Sequence, residues 1–152
     1  MKIIVSDDNF IIYRLKNKEN IENLGKEEIE KYIKKTLLHI KKRYLSSISG
    51  FYNVTLYMNK KYGLILEVNK ESDLDFFPDL IDIKLKLERN ALVYLKLDDY
   101  FLIKDYETYY YDNNFYVNID DISDIDIVKL SDYYSLIYGD SLDKIKGKLR
   151  LV

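Results

Sequence analysis

Between residues 26 and 44, apolar side chains return every three or four positions: Ile29, Tyr32, Ile33, Leu37, Ile40 and Tyr44, with Thr36 on the same side. That repeat belongs to an α-helix with one face in a core. Glu27, Glu28 and Glu30 open the segment and Lys41, Lys42 and Arg43 close it, an order that complements the helix dipole. With Gly25 as its cap, the pattern predicts a first helix over residues 26–45.

Most of the remaining chain has the period of a strand. Ile81, Ile83, Leu85 and Leu87 alternate with Asp82, Lys84, Lys86 and Glu88, which turns one face inward. Polar triplets predict hairpins: Asp7-Asp8-Asn9 joins residues 2–5 to 10–15, Asn59-Lys60-Lys61 joins 51–58 to 62–68, and Asp112-Asn113-Asn114 joins 108–111 to 115–119. Arg89-Asn90 is expected to fold residues 81–88 onto 91–97, and residues 100–103 to extend the sheet.

Near Ser123 the period becomes helical again. Leu130, Tyr133, Tyr134 and Ile137 make an apolar face, Ser123 with Asp126 resembles a capping box with the shorter acid, and Gly139 is placed to stop the helix. A second principal helix is therefore predicted over residues 123–138, then one more turn at 142–146 and a last strand at 149–152. Successive hairpins with two helices define an α+β fold with a mainly antiparallel sheet covered on one side. Residues 1–152 are expected to form a single domain, with a weak boundary near 69–80 around the only proline, Pro78.

Composition narrows the chemistry more than it widens it. A chain of 152 residues that is 47% hydrophobic and 33% charged can build its own core. It has no cysteine, so disulfides and thiol catalysis are excluded, and its single histidine, His39, leaves a zinc site short of ligands. The many Ile, Lys, Asn, Asp and Tyr residues are those of an AT-rich genome, bacterial or from a bacterial virus. Strand preference accounts for further tyrosines. No apolar run reaches the roughly 18 residues of a membrane span, and residues 1–5 are followed at once by Ser6, Asp7, Asp8 and Asn9. No signal-peptide core is predicted, and a cytoplasmic protein without membrane contact is expected.

Charge is uneven. Residues 1–46 hold 11 Lys and Arg against 7 Asp and Glu, whereas residues 47–152 hold 13 against 19. On a helical wheel Lys31, Lys34, Lys35, Lys41 and Lys42 project from the first helix away from its apolar stripe, with Leu38 among them. Such a face attracts phosphates, so a nucleic-acid-binding module is one reading; a solvated helix face is the plainer one. Glu71, Asp73, Asp75, Asp79 and Asp82 form one acidic cluster, and Asp120, Asp121, Asp124 and Asp126 another. Neither has the ligand order or central glycine of a calcium loop, and the second suits capping of a helix start. No metal and no cofactor are expected. Phe76 and Phe77, adjacent within the first acidic stretch, are candidate partner-binding residues, since one of two neighbouring rings on a strand must face outward. The five glycines form no phosphate-binding, dinucleotide or nucleophile-elbow pattern, so no catalytic residue is predicted.

Three stretches, taken in order, resemble the MecA family of bacterial adaptors. MKIIVSDDNFIIYRL followed by NIENLG and a helix is similar to that family's opening, YETYYYDNNFYVNI to its tyrosine-rich hairpin, and YYSLIYGDSLDKIKGKLRLV to its last segment. The resemblance implies a non-catalytic adaptor that presents protein partners to a Clp-type unfoldase. Residues 81–97 have no counterpart there and the family's long acidic linker is missing, so no functional residue is carried over. The expectation from residues and resemblance together is a protein that acts by binding a protein partner and is not an enzyme.

Overall fold

Alternating strands need partners on both edges, and the computed structural model shows which they take. It describes residues 2–6, 9–15, 20–44, 50–72 and 81–152, with side chains of the first helix as far as Ile40. Residues 1–58 with 63–90 form one compact unit, and 59–62 with 91–152 another, where the sequence pattern predicts one domain with a weak boundary near 69–80.

The first unit holds β1 (Lys2–Ser6), β2 (Asn9–Tyr13), α1 (Lys26–Tyr44), β3 (Gly50–Asn59), β4 (Gly63–Ser72) and β5 (Ile81–Glu88). Its five strands lie in the order β1-β2-β4-β3-β5. Ile29, Ile33, Leu37 and Ile40 of α1 are all buried, and they share one core with Phe10, Ile12, Val54, Leu66, Ile83 and Leu85. Each such side chain contributes about 1.5–3 kcal/mol when fully buried. The Gly25 carbonyl accepts the Ile29 N–H at 3.1 Å, which starts the helix where the sequence places it. The Arg89 guanidinium donates to the carbonyls of Glu22 (3.1 Å) and Leu24 (3.2 Å), tying the short 3-10 turn ahead of α1 to the end of β5.

Two features of this sheet depart from a pure run of hairpins. β5 pairs with β3 in parallel, Val54 opposite Leu85, because β4 has already returned along the other side of β3. And Arg89-Asn90 does not fold β5 onto the following strand, which belongs to a different sheet.

The second unit holds the turn 59–62, β6 (Val93–Leu97), β7 (Tyr109–Tyr111), β8 (Asn114–Asn118), α2 (Asp124–Lys129), β9 (Ser135–Tyr138), α3 (Gly139–Ile145) and β10 (Arg150–Leu151). Its sheet runs β10-β7-β8-β6-β9, and every pair is antiparallel. Val93, Leu95, Leu97, Val117, Ile119, Ile127 and Leu142 are among its buried side chains. Asp112 and Asn113, at φ 47° and 63°, make a two-residue turn between β7 and β8. Left-handed conformations at both positions match strand twist, and Asp and Asn tolerate them.

The helix expected over residues 123–138 is shorter than its pattern. It ends at Lys129, the Leu130 carbonyl accepts the Tyr133 N–H at 2.8 Å in a tight turn, and Ser135–Tyr138 is a strand opposite Lys96–Val93 of β6. Pairing with β6 satisfies the backbone groups of this segment that face it, which outweighs a local period of only four apolar positions. Gly139, at φ 56°, opens α3 after that strand instead of closing a helix. Residues 100–103 do not extend the sheet either. The Asp99 carboxylate accepts the Phe101 N–H at 3.0 Å and starts a 3-10 turn, Tyr100–Leu102.

Candidate protein-binding surface

The two-residue turn fixes the register of β7 and β8, placing Tyr110 opposite Phe115, and Phe115 opposite Leu97 of β6, on one face of the second sheet. Their rings meet at 5.3 Å between centroids. The 3-10 turn held by Asp99 then brings Tyr100 to 5.5 Å from Phe115, and Phe101 to 6.3 Å from Tyr100. The result is a continuous ridge of four rings, Tyr110-Phe115-Tyr100-Phe101. Tyr110 is 40% exposed and Phe101 78%. The Tyr110 hydroxyl donates to Asn113 Oδ1 at 3.0 Å, which holds that ring against the turn.

Acidic residues accompany the ridge along the chain. Between positions 98 and 113 stand Asp98, Asp99, Asp105, Glu107 and Asp112 against the single Lys104. Offset and edge-on ring pairs are favourable by about 0.5–1.5 kcal/mol each beyond their buried area, so the rings stiffen one another while part of their surface stays in water. A rigid, solvated aromatic group with acids beside it can receive an apolar or cationic side chain.

The opposite sheet face is held by other contacts. Tyr94 meets Tyr109 edge-on at 6.4 Å, and Lys148 lies 5.7 Å from the Tyr111 ring centre. The Tyr109 hydroxyl donates to Glu107 Oε1 at 2.5 Å, which keeps its proton and, with burial, pushes its pKa up to about 12. Burial raises the Tyr116 phenol as well.

The residues singled out from the sequence are only partly brought together. Lys31 and Lys35 are exposed one turn apart on α1, but Lys34 is directed to β5, with its Nζ 3.6 Å from Asp82 Oδ1. An ion pair that open to water contributes about 0–1 kcal/mol. The side chains of Lys41 and Lys42, and all of Phe76 and Phe77, lie outside the described residues. Of the second acidic cluster, Asp126 is engaged by the Tyr106 hydroxyl, and this hydrogen bond holds its carboxyl below the ordinary carboxylate range. Among the described residues no group of three or more His, Asp or Glu is arranged to hold a metal ion, and no helix is long and apolar enough to cross a membrane.

The ridge was within reach of sequence reasoning. Asp112-Asn113 as a two-residue turn sets Tyr110 opposite Phe115, and Asp99 two residues before Phe101 is a capping signal. Only the approach of Tyr100 to Phe115 needed tertiary structure. Comparison with known proteins adds no relative: no family model, no curated protein and no solved structure matches the chain.

Proposed function

We propose that the chain is a protein-binding adaptor or regulator of a bacterial cytoplasm, without chemistry of its own, and that the four-ring ridge is its docking surface. The observation that carries this reading is Phe101, a large apolar ring left in water at the end of a ridge of contacting rings. Aromatic anchors of this kind dominate binding energy at interfaces. The acids at 98, 99 and 112 favour a partner segment with apolar and basic side chains and disfavour a nucleic-acid backbone. The hairpin that supplies Tyr110 and Phe115 is also one of the stretches resembling MecA-type adaptors, which agrees with the same reading.

The test is a photo-crosslinking residue at position 101 of the full chain, in lysate with and without nuclease, followed by titration of the identified partner. Phe101→Ala and Tyr110→Ala should each weaken that complex roughly 30-fold, the size of a hot-spot loss of about 2 kcal/mol. Unchanged affinity would remove the ridge from consideration. Recovery that vanishes with nuclease would favour nucleic-acid binding by the exposed Lys31 and Lys35 of α1.

A further inference from the structure

We propose that β1 is a dimerisation edge, at which the strand pairs antiparallel with β1 of a second copy of this chain about a two-fold axis at Ile4. β1 ends its sheet, with β2 as its strand neighbour among the described residues. Its register with β2 sets Ser6 opposite Asn9 with two residues between them, and a two-residue hairpin closes on a hydrogen-bonded pair. Bonded and non-bonded pairs alternate from there. Lys2, Ile4 and Ser6 therefore bond to β2, while Ile3 and Val5 turn both N–H and C=O to the outer side. Among the described residues no segment outside the sheet bonds to Ile3 or Val5. Ile4 and Val5 are 43% and 45% exposed, and Lys2 and Ser6 are exposed with them.

Proteins commonly blunt an edge strand with charge, proline or a bulge. β5, at the other end of the sheet, alternates its apolar residues with Asp82, Lys84, Lys86 and Glu88, whereas β1 has only Ile3, Ile4 and Val5 between Lys2 and Ser6. The strand's own symmetry selects a second copy as its partner. With Ile4 facing Ile4, Ile3 of each chain lies opposite Val5 of the other, and the outward groups of both residues are satisfied together. Every apolar side chain of the strand then meets an apolar one. Ile3 and Val5 extend the face of Ile12 and Phe10, and Ile4 extends the face of Ile11. Charge agrees with the antiparallel sense: Lys2 faces Ser6, and the basic end of each strand meets the end from which the sequence continues with Asp7 and Asp8. Parallel pairing would set lysine against lysine. An interface this small gives a weak, reversible dimer.

The experiment is sedimentation equilibrium of the full chain from about 1 μM to about 1 mM, where a reversible monomer–dimer equilibrium is expected. Ile4→Lys sets like charges face to face at the axis and should weaken the dimer roughly tenfold or more. Val5→Pro removes an outward N–H and no bond to β2, a change that edge strands tolerate, and should weaken it to a similar extent. Circular dichroism checks that both variants fold. Because the chain has no cysteine, Ile4→Cys introduces a lone thiol. Opposed residues of a non-bonded pair stand about 4.5 Å apart at Cα, within disulfide reach, whereas Lys2→Cys lies two residues off the axis in each copy and beyond it. Under mild oxidation Ile4→Cys should cross-link far faster than Lys2→Cys. Phe101→Ala should leave the dimer unchanged, which separates this edge from the aromatic ridge. A chain that stays monomeric at the highest concentration, a dimer that Ile4→Lys and Val5→Pro both leave intact, equal cross-linking of the two cysteine variants, or a dimer dissolved by Phe101→Ala would each overturn the proposal.

Discussion

The Tyr106 hydroxyl donates to the Asp126 carboxylate and accepts the backbone N–H of Ser123 at 3.4 Å, completing a helix cap that Asp126 does not close alone. Ser123 caps α2 in the usual direction, its Oγ accepting the Asp126 N–H at 3.2 Å. In a full capping box the acid at that position reaches back to the N–H of the capping residue. Aspartate is one methylene shorter than glutamate, and the phenol fills the gap. Because this bond lowers the Asp126 pKa in the folded chain, its stabilisation is present above the unfolded carboxylate range and lost as pH falls through the folded value. Tyr106→Phe should therefore lower the urea midpoint at neutral pH, the difference closing in acid, and should raise the Asp126 pKa seen by NMR. A deficit independent of pH would show that Tyr106 acts through packing alone.

Asn59 makes three bonds from one buried side chain. Its Nδ2 donates to the Ala91 carbonyl at 3.0 Å, and its Oδ1 accepts the N–H groups of Lys61 (2.9 Å) and Tyr62 (2.8 Å). At about 0.5–1.5 kcal/mol net for each bond, Asn59→Ala should cost about 2–3 kcal/mol. Asn59→Asp keeps both acceptor roles and loses the donor, so its urea midpoint should fall between Asn59→Ala and the parent.

Gly50 sits at φ 137°, and a Cβ there would stand 2.5 Å from the backbone oxygen of Ser72. The obstacle is main chain in the neighbouring strand β4, which cannot swing aside. Gly50→Ala should destabilise the chain by about 2 kcal/mol or more in thermal or urea unfolding. Gly63, with open space at the same point, should lose less from the same change, since only its φ of 107° opposes it.

The phenol of Tyr109 should titrate near its raised value of about 12, with its bond to Glu107 as the main cause. Glu107→Gln should bring it down toward the ordinary range, followed by ultraviolet absorbance. A folded pKa above the unfolded one means that this stabilisation is complete below the unfolded phenol value and is lost as pH rises through the folded one. The variant should accordingly show a weaker decline in stability in alkali.

Phe101→Ala should change the stability of the isolated chain by no more than about 0.5 kcal/mol, since the ring is 78% exposed. A larger loss in melting temperature would assign the ring to folding and not to recognition.

α1 and β5 were legible because each carries its whole signal in its own residues: seven helical positions over five turns in one, strict alternation over eight residues in the other. The strand Ser135–Tyr138 was not, since its apolar spacing also fits a helix and only the free edge of β6 decides between them. The functional residues divide in the same way. Lys31 and Lys35 stand exposed on α1 as its period requires, but Lys34 turns to Asp82 because β5 lies beside the helix.

Local periodicity, turn residues and caps therefore determined the α+β class, the course of α1, the β7–β8 hairpin and the Ser123 cap, because each depends on side chains within a few positions of one another. Tertiary structure alone decided that β5 runs parallel to β3, that β6 enters a second sheet, and that Tyr100 reaches Phe115. Those outcomes rest on which distant edge or ring satisfies a backbone or buries a surface, and no local pattern records the competition between candidates.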